Sequence, residues 1–284
     1  MIATFESLLP VFLLIALGWA LKTRNIVPED MWRGVELIGY WLFFPALLAD
    51  TMIRSDLTSL PLTGITITMI GTFFTMAVGL LLLQDRIQSA LAIEGPSFSS
   101  LFQGAIRWNG FVALPILAKL YGDEGVAILA VMIGVLVPIA NISAVYVVTR
   151  NAGTVKPTLR QTMYVVFRNP FIWATAIGAG LLMVGAGLST HEAIRPSPAA
   201  WAGTALKLVG MPALVFIWSL VTGLSGTAFV ACMVCAAVPT AMSAYVMARQ
   251  MGGDAPLVAV TVTVQTVLSV ITVPLVILLA QALQ

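Results

Sequence analysis

The sequence predicts an all-α membrane protein: an inverted-repeat helical bundle with two broken helices that cross. Three observations carry that expectation. Of the 284 residues, 60% are hydrophobic and 9% charged, against about 25% charged in soluble domains, and the mean hydropathy is +1.01. Apolar runs recur at lengths near the roughly 20 residues that cross a bilayer as helix. Pro115 and Pro239 each interrupt such a run behind a matching pair, Ala113-Leu114 and Ala237-Val238. Proline removes a backbone donor and clashes with the carbonyl four residues earlier. In a bilayer the freed groups persist only where protein, water or ligand satisfies them. Paired interruptions at corresponding places in two halves point to a transporter's substrate site. The simpler reading is two kinked helices, because proline is common in membrane spans.

Taken in order, the apolar segments fall at 5–21, 35–53, 60–83, 98–121, 125–149, 163–187, 203–223, 227–248 and 256–281, nine readable spans. The first is expected to stay in the membrane rather than be cleaved. Glu6 stands where a leader is basic, Lys22 and Arg24 follow the apolar run, and no A-x-A site comes after it. Gln84–Ser97 and Arg150–Thr162 are linkers, too short for a second folded domain. Odd-numbered loops carry Lys22, Arg24, Arg33, Arg86, Arg150, Lys156, Arg160 and Arg168; the second, fourth and sixth carry Arg54, Lys119 and Arg195. Basic residues stay on the cytoplasmic side. The expectation is a multi-pass protein of the inner (cytoplasmic) membrane, with an extracytoplasmic N-terminus and a cytoplasmic Arg150–Arg168 loop. Beyond Lys207 only Arg249 is basic, so charge does not fix the orientation of the C-terminus.

An internal repeat is readable. Leu37-Ile38-Gly39 followed by Pro45-Ala46-Leu47 reappears as Leu208-Val209-Gly210 followed by Pro212-Ala213-Leu214. The proline order Pro10, Pro45, Pro115, Pro138 is matched by Pro170, Pro212, Pro239, Pro274. An odd number of spans per half makes the halves inverted. The chain divides into a first five-helix repeat (1–150), a cytoplasmic linker (151–168) and a second, shortened repeat (169–284). Pro45 and Pro115 stand 70 residues apart and Pro212 and Pro239 only 27; the shortfall of 43 is about one helix with its loop. A re-entrant or tilted stretch near Thr190–Leu206 is one way to restore the symmetry.

Several short motifs, in this order, resemble the auxin efflux carrier family, which includes plant PIN exporters and bacterial carriers for malonate and related carboxylates. They are Leu9-Pro10-Val11-Phe12 with Gly18, Phe44-Pro45-Ala46-Leu47-Leu48, Asn109-Gly110-Phe111 with Leu114-Pro115, and Tyr121-Gly122-Asp123-Glu124-Gly125. Arg168-Asn169-Pro170, Pro239-Thr240-Ala241 with Tyr245, and Gly252-Gly253-Asp254 complete the set. The resemblance implies ten helices in two inverted five-helix repeats. The fourth and ninth are broken and cross at their prolines, and a transport bundle moves against a scaffold. Two departures stand out. The family's eighth helix, part of the moving bundle, has no readable counterpart, and Ser243 stands where the family often has Asn.

At such a crossing, half-helix N-termini present unpaired N–H groups and about half a positive charge, an anion site without a basic side chain. The candidate substrate-binding residues are Arg107, Asn109, Gly110, Pro115, Pro239, Thr240 and Ser243. The Asn109 amide can donate to a carboxylate while its carbonyl accepts a backbone N–H, or it can tie two helices together. Thr240 and Ser243 can offer hydroxyls or bond back to their own helix. Arg107 lies well inside a span, where ionisable residues are functional candidates; alternatively its side chain snorkels to the interface. Glu36, Asp50 and Lys207 are read as interfacial.

Other chemistries find little support. There is no G-x-x-x-x-G-K-[ST] for nucleotide-driven pumping, and His191 is the sole histidine. Cys232 and Cys235 form a C-x-x-C in an apolar run without a second pair, which reads as packing. Gly178, Gly180, Gly185 and Gly187 fit a close helix contact. No catalytic residue, metal ligand, cofactor or nucleic-acid partner is expected. The partners are the bilayer and a small organic anion, with a homodimer left open. The leading expectation is a secondary transporter of organic anions, in particular carboxylates, working by alternating access. The competing class is a channel or a non-transporting scaffold or sensor derived from a carrier by loss of a helix, and an intramembrane enzyme ranks third.

Overall fold

The computed structural model describes residues 60–152, 196–241 and 243–283, with scattered positions before residue 32. The spans expected at 35–53 and 163–187 lie outside the described residues, as do Glu36, Asp50, His191 and the glycines between 178 and 187. Among the described residues there is helix and no strand. The elements are α1 (Leu62–Leu82), α2 (Gln84–Leu91), α3 (Gly95–Ile106), α4 (Gly110–Ala152), α5 (Pro198–Ala205), a π-helical turn (Leu206–Gly210), α6 (Met211–Thr222), α7 (Gly226–Ala237), α8 (Ser243–Met251) and α9 (Ala255–Ala282).

α1 has 21 residues and neither charge nor internal proline. At 1.5 Å per residue it measures about 31 Å, the depth of a bilayer's apolar core. It lies antiparallel to α6. Trp218 covers Gly71 so closely that a Cβ there would stand 2.5 Å from the indole. The indole N–H donates to Thr75 Oγ1 at 3.0 Å, and the Thr68 and Thr222 hydroxyls share a 2.7 Å hydrogen bond. α5, the π-helical turn and α6 form one continuous apolar stretch of 25 residues, Pro198–Thr222. It begins earlier than the expected residue 203, so residues 198–206 are its first turns rather than a separate re-entrant segment.

The 43 residues of α4 would reach about 65 Å if straight, twice the bilayer's apolar depth. Gly122, at φ 56° and ψ −139°, breaks the run in a conformation that side chains disfavour. The chain folds back there: a Cβ on Gly110 would lie 3.6 Å from Ile133, and one on Gly95 2.4 Å from the Asn151 carbonyl oxygen. α3 and the first arm of α4 therefore run antiparallel to the second arm. Pro115 and Pro138 both lie inside α4. The break expected at Pro115 instead falls at Arg107–Asn109, because Asn109 stops one helix and caps the next.

These contacts define the two ends of the bundle. Leu82, Gly95 and Asn151 share one end with Asp254, which accepts from Ser97 Oγ at 2.6 Å. The other end holds Leu62, the Gly122 turn and Thr222. α9 starts at the first end and finishes at the second, where Tyr121 lies beside Gln281. Pro198, 25 residues before Thr222 in a continuous helical stretch, is consequently at the first end with Asn151. Among the described residues, four helical stretches are long and apolar enough to cross a membrane, and the protein is a multi-pass membrane protein.

Arg86, Arg150 and Arg249 gather at the first end and Lys119 at the second, a bias by which the positive-inside rule would assign the first end to the cytoplasm. A reporter inserted at residue 155 is expected to score as cytoplasmic and one fused after Leu283 as external. A C-terminal reporter on the same side as residue 155 would contradict the path of α9.

Candidate functional site at the helix crossing

Two chain segments lose helical form in the interior. Arg107–Asn109 separates α3 from α4, and Val238–Ala241 lies between α7 and α8. Arg107 and Val238, the residues that follow α3 and α7, are both extended. The segments meet directly: the Asn109 backbone N–H donates to the Pro239 carbonyl at 2.9 Å. Twelve residues of α3 precede the break, about 18 Å of helix, which places the crossing well inside the bundle. Across it α3 runs opposite to α8, since Arg107 meets Ser243 while Ser99 lies against Gly253.

Asn109 is 3% exposed. Its side-chain oxygen accepts from the N–H groups of Phe111 at 3.0 Å and Val112 at 3.4 Å, capping α4 and satisfying donors that a helix start leaves open. Its amide nitrogen makes no hydrogen bond among the described residues. Asn109 thus does half of what the sequence offered, and the donor half stays uncommitted. Gly110 is the first residue of α4, beside the cap.

Thr240 and Ser243 do not bond back to their own helix. Thr240 Oγ1 donates to the Gly104 carbonyl at 2.5 Å, tying the second break to α3. Ser243 Oγ accepts from Arg107 Nη1 at 2.7 Å, and Arg107 Nη2 lies 3.5 Å from Met247 Sδ. Arg107 is only 4% exposed, so it does not snorkel: its guanidinium turns inward onto α8. Arg107, Asn109, Gly110, Pro239, Thr240 and Ser243 come together at the crossing. Pro115 stands apart, in the first arm of α4.

Two residues were not singled out as part of the site from the sequence. Gln265, fully buried on α9, accepts from the Thr240 N–H at 2.8 Å and donates to the carbonyls of Gly104 at 3.0 Å and Gly203 at 3.3 Å. One amide thereby holds both broken helices and α5. Its signal was legible: the one mid-span amide of a helix whose other mid-span polar groups are Thr and Ser hydroxyls. Lys207, read as interfacial, is fully buried because α5 begins a full turn earlier than expected and carries it inward. Cys232 and Cys235 are free and buried on α7. No metal-binding cluster of His, Cys, Asp or Glu occurs among the described residues.

A family model described as membrane transport protein matches residues 171–277. The match includes the second break, Lys207 and Gln265, and stops short of Arg107 and Asn109 on the N-terminal side. No curated protein matches the chain. The chain is therefore similar, over its second half, to a family of transporters rather than of enzymes.

Proposed function

We propose that the protein is a secondary transporter of small organic anions, in particular carboxylates, related to the auxin efflux carriers and working by alternating access. The observation that carries this reading is the direct crossing of two unwound segments, Arg107–Asn109 and Val238–Ala241, inside the bundle. The starts of α4 and α8 meet at this crossing, and the positive ends of their dipoles favour an anion there. Arg107 adds a fixed positive charge and Asn109 an uncommitted amide donor. The family match over residues 171–277 supports transport as the activity.

The inverted repeat belongs to the same proposal. α5–α6 runs from the first end to the second, antiparallel to α1, which is the direction required of the family's eighth helix. On this reading that helix is present and the shortfall lies earlier in the second half. The moving bundle then retains its full set there, which favours a working carrier over a degenerate scaffold.

The test is thermal stabilisation and uptake with purified protein in liposomes, across acetate, malonate and succinate. Saturable, competable uptake is expected; a linear, non-competable flux would mean a channel, and no response to any carboxylate would end the carboxylate reading. Arg107→Lys keeps the charge but loses the planar fork that reaches Ser243 and Met247 together. It is expected to weaken carboxylate binding about tenfold, a difference of roughly 1.4 kcal/mol. Unchanged binding would assign Arg107 to holding α8 alone.

A further inference from the structure

Lys207 is the one lysine among the described residues that is sealed completely inside the bundle, at 0% exposure. Its Nζ has no hydrogen-bond partner among the described residues. A buried ionisable group in a membrane span is a functional candidate because it is costly to keep, and buried charges are ordinarily paired.

Among the described residues, the surrounding elements supply no counter-charge. α1, α5, α6 and α9, all packed on the π-helical turn or continuous with it, contain no Asp, Glu, His, Lys or Arg. α7 presents Cys235 near Lys207 and Cys232 a turn earlier. α3 carries no charge within its length, and Arg107 at its end is turned toward Ser243 on α8. Neither thiol is a carboxylate. The position is nonetheless tied to the crossing. Cys235 is three residues before Val238, and Gly203, one helical turn before Lys207, shares Gln265 with Gly104 and Thr240. The turn itself, Leu206–Gly210, is π-helical, a distortion frequent at functional sites.

We propose that Lys207 supplies a counter-charge to the transported anion: the ammonium pairs with a ligand carboxylate when the elements around the π-helical turn part. This rests on the carboxylate reading of the crossing and adds a residue to it. In the sealed arrangement described here the ligand's place is closed. Pairing therefore belongs to the opened conformation, and Lys207 favours that conformation when an anion is present.

The probe is sodium malonate against sodium chloride at equal ionic strength, with the full chain in phosphatidylcholine nanodiscs so that no anionic lipid competes. Wild-type protein should be stabilised by malonate, and Lys207→Met and Lys207→Gln should bind it roughly 30-fold more weakly or worse, as truncation of one partner of a buried charge pair does. Their ligand-free melting temperature should equal or exceed that of the wild type, because removing an unpaired buried charge costs no contact. Malonate stabilisation retained in both variants overturns the role of Lys207 while leaving the carboxylate reading intact. So does a failure of both variants to fold, which would make Lys207 structural. No malonate response in the wild type overturns the carboxylate reading itself, and this inference with it.

Discussion

Gln265→Leu is expected to lower the melting temperature of the purified protein by on the order of 5–10 °C and to abolish transport. The leucine is of similar size, so no cavity is made. What is lost is the acceptor for the Thr240 N–H and the donor to the carbonyls of Gly104 and Gly203. Each buried group left unsatisfied costs about 1–3 kcal/mol, although hydrogen bonds within membrane bundles average nearer 0.6 kcal/mol. Three together give roughly 2–5 kcal/mol, and the Gly104 carbonyl keeps its bond from Thr240. Gln265→Glu sharpens the test. In its ionised form the carboxylate still accepts from Thr240 but faces two carbonyl oxygens with no donor, so at alkaline pH it should destabilise at least as much as leucine. A melting temperature within 1–2 °C of wild type in both variants, on the order of 0.5 kcal/mol at this chain length, would mean that the crossing does not depend on this bridge.

Asn109→Asp is expected to leave the ligand-free protein close to wild-type stability while reducing carboxylate affinity roughly 10- to 150-fold. Aspartate caps a helix as well as asparagine does, so the bonds from Phe111 and Val112 survive. The amide donor is replaced by a negative oxygen that repels an anion. A hydrogen bond to a charged ligand is worth about 1.5–3 kcal/mol, and 1.4 kcal/mol is a decade in affinity. Asn109→Ala, by contrast, removes cap and donor together and should lower both stability and affinity. If Asn109→Asp binds carboxylates like the wild type, the amide makes no contact with the ligand and the anion site must be placed elsewhere in the crossing.

The membrane class and most of the described spans were legible because an apolar run near 20 residues has few other uses. The residues of the crossing were legible for a related reason. Asn109, Thr240 and Ser243 are polar residues within largely apolar runs, and each is found bonding across a break or capping a half-helix. The exact place of the first break was not. Pro115 drew attention as the strongest local breaker, yet a proline inside a membrane helix can be accommodated by its neighbours, and Asn109 ended the helix six residues earlier. The direction of Pro198–Thr222 was equally hidden, since apolar helices carry no arrow in their composition and only its contacts with α1 reveal it, Trp218 against Gly71 and Thr75, and Thr222 against Thr68. Lys207 was misread because its burial depends on where α5 begins.

The hydrogen bond between the Asn109 N–H and the Pro239 carbonyl has a consequence for genetics. Both atoms belong to the main chain, so an alanine scan cannot delete the contact. Every amino acid but proline keeps the donor at 109, and all twenty keep the acceptor at 239. The joint can thus persist while its side chains drift, and the sensitivity that a screen finds at 109 will report the cap and the amide of the side chain rather than this bond. Asn109→Pro, or an ester in place of that amide, would be the way to make it heard.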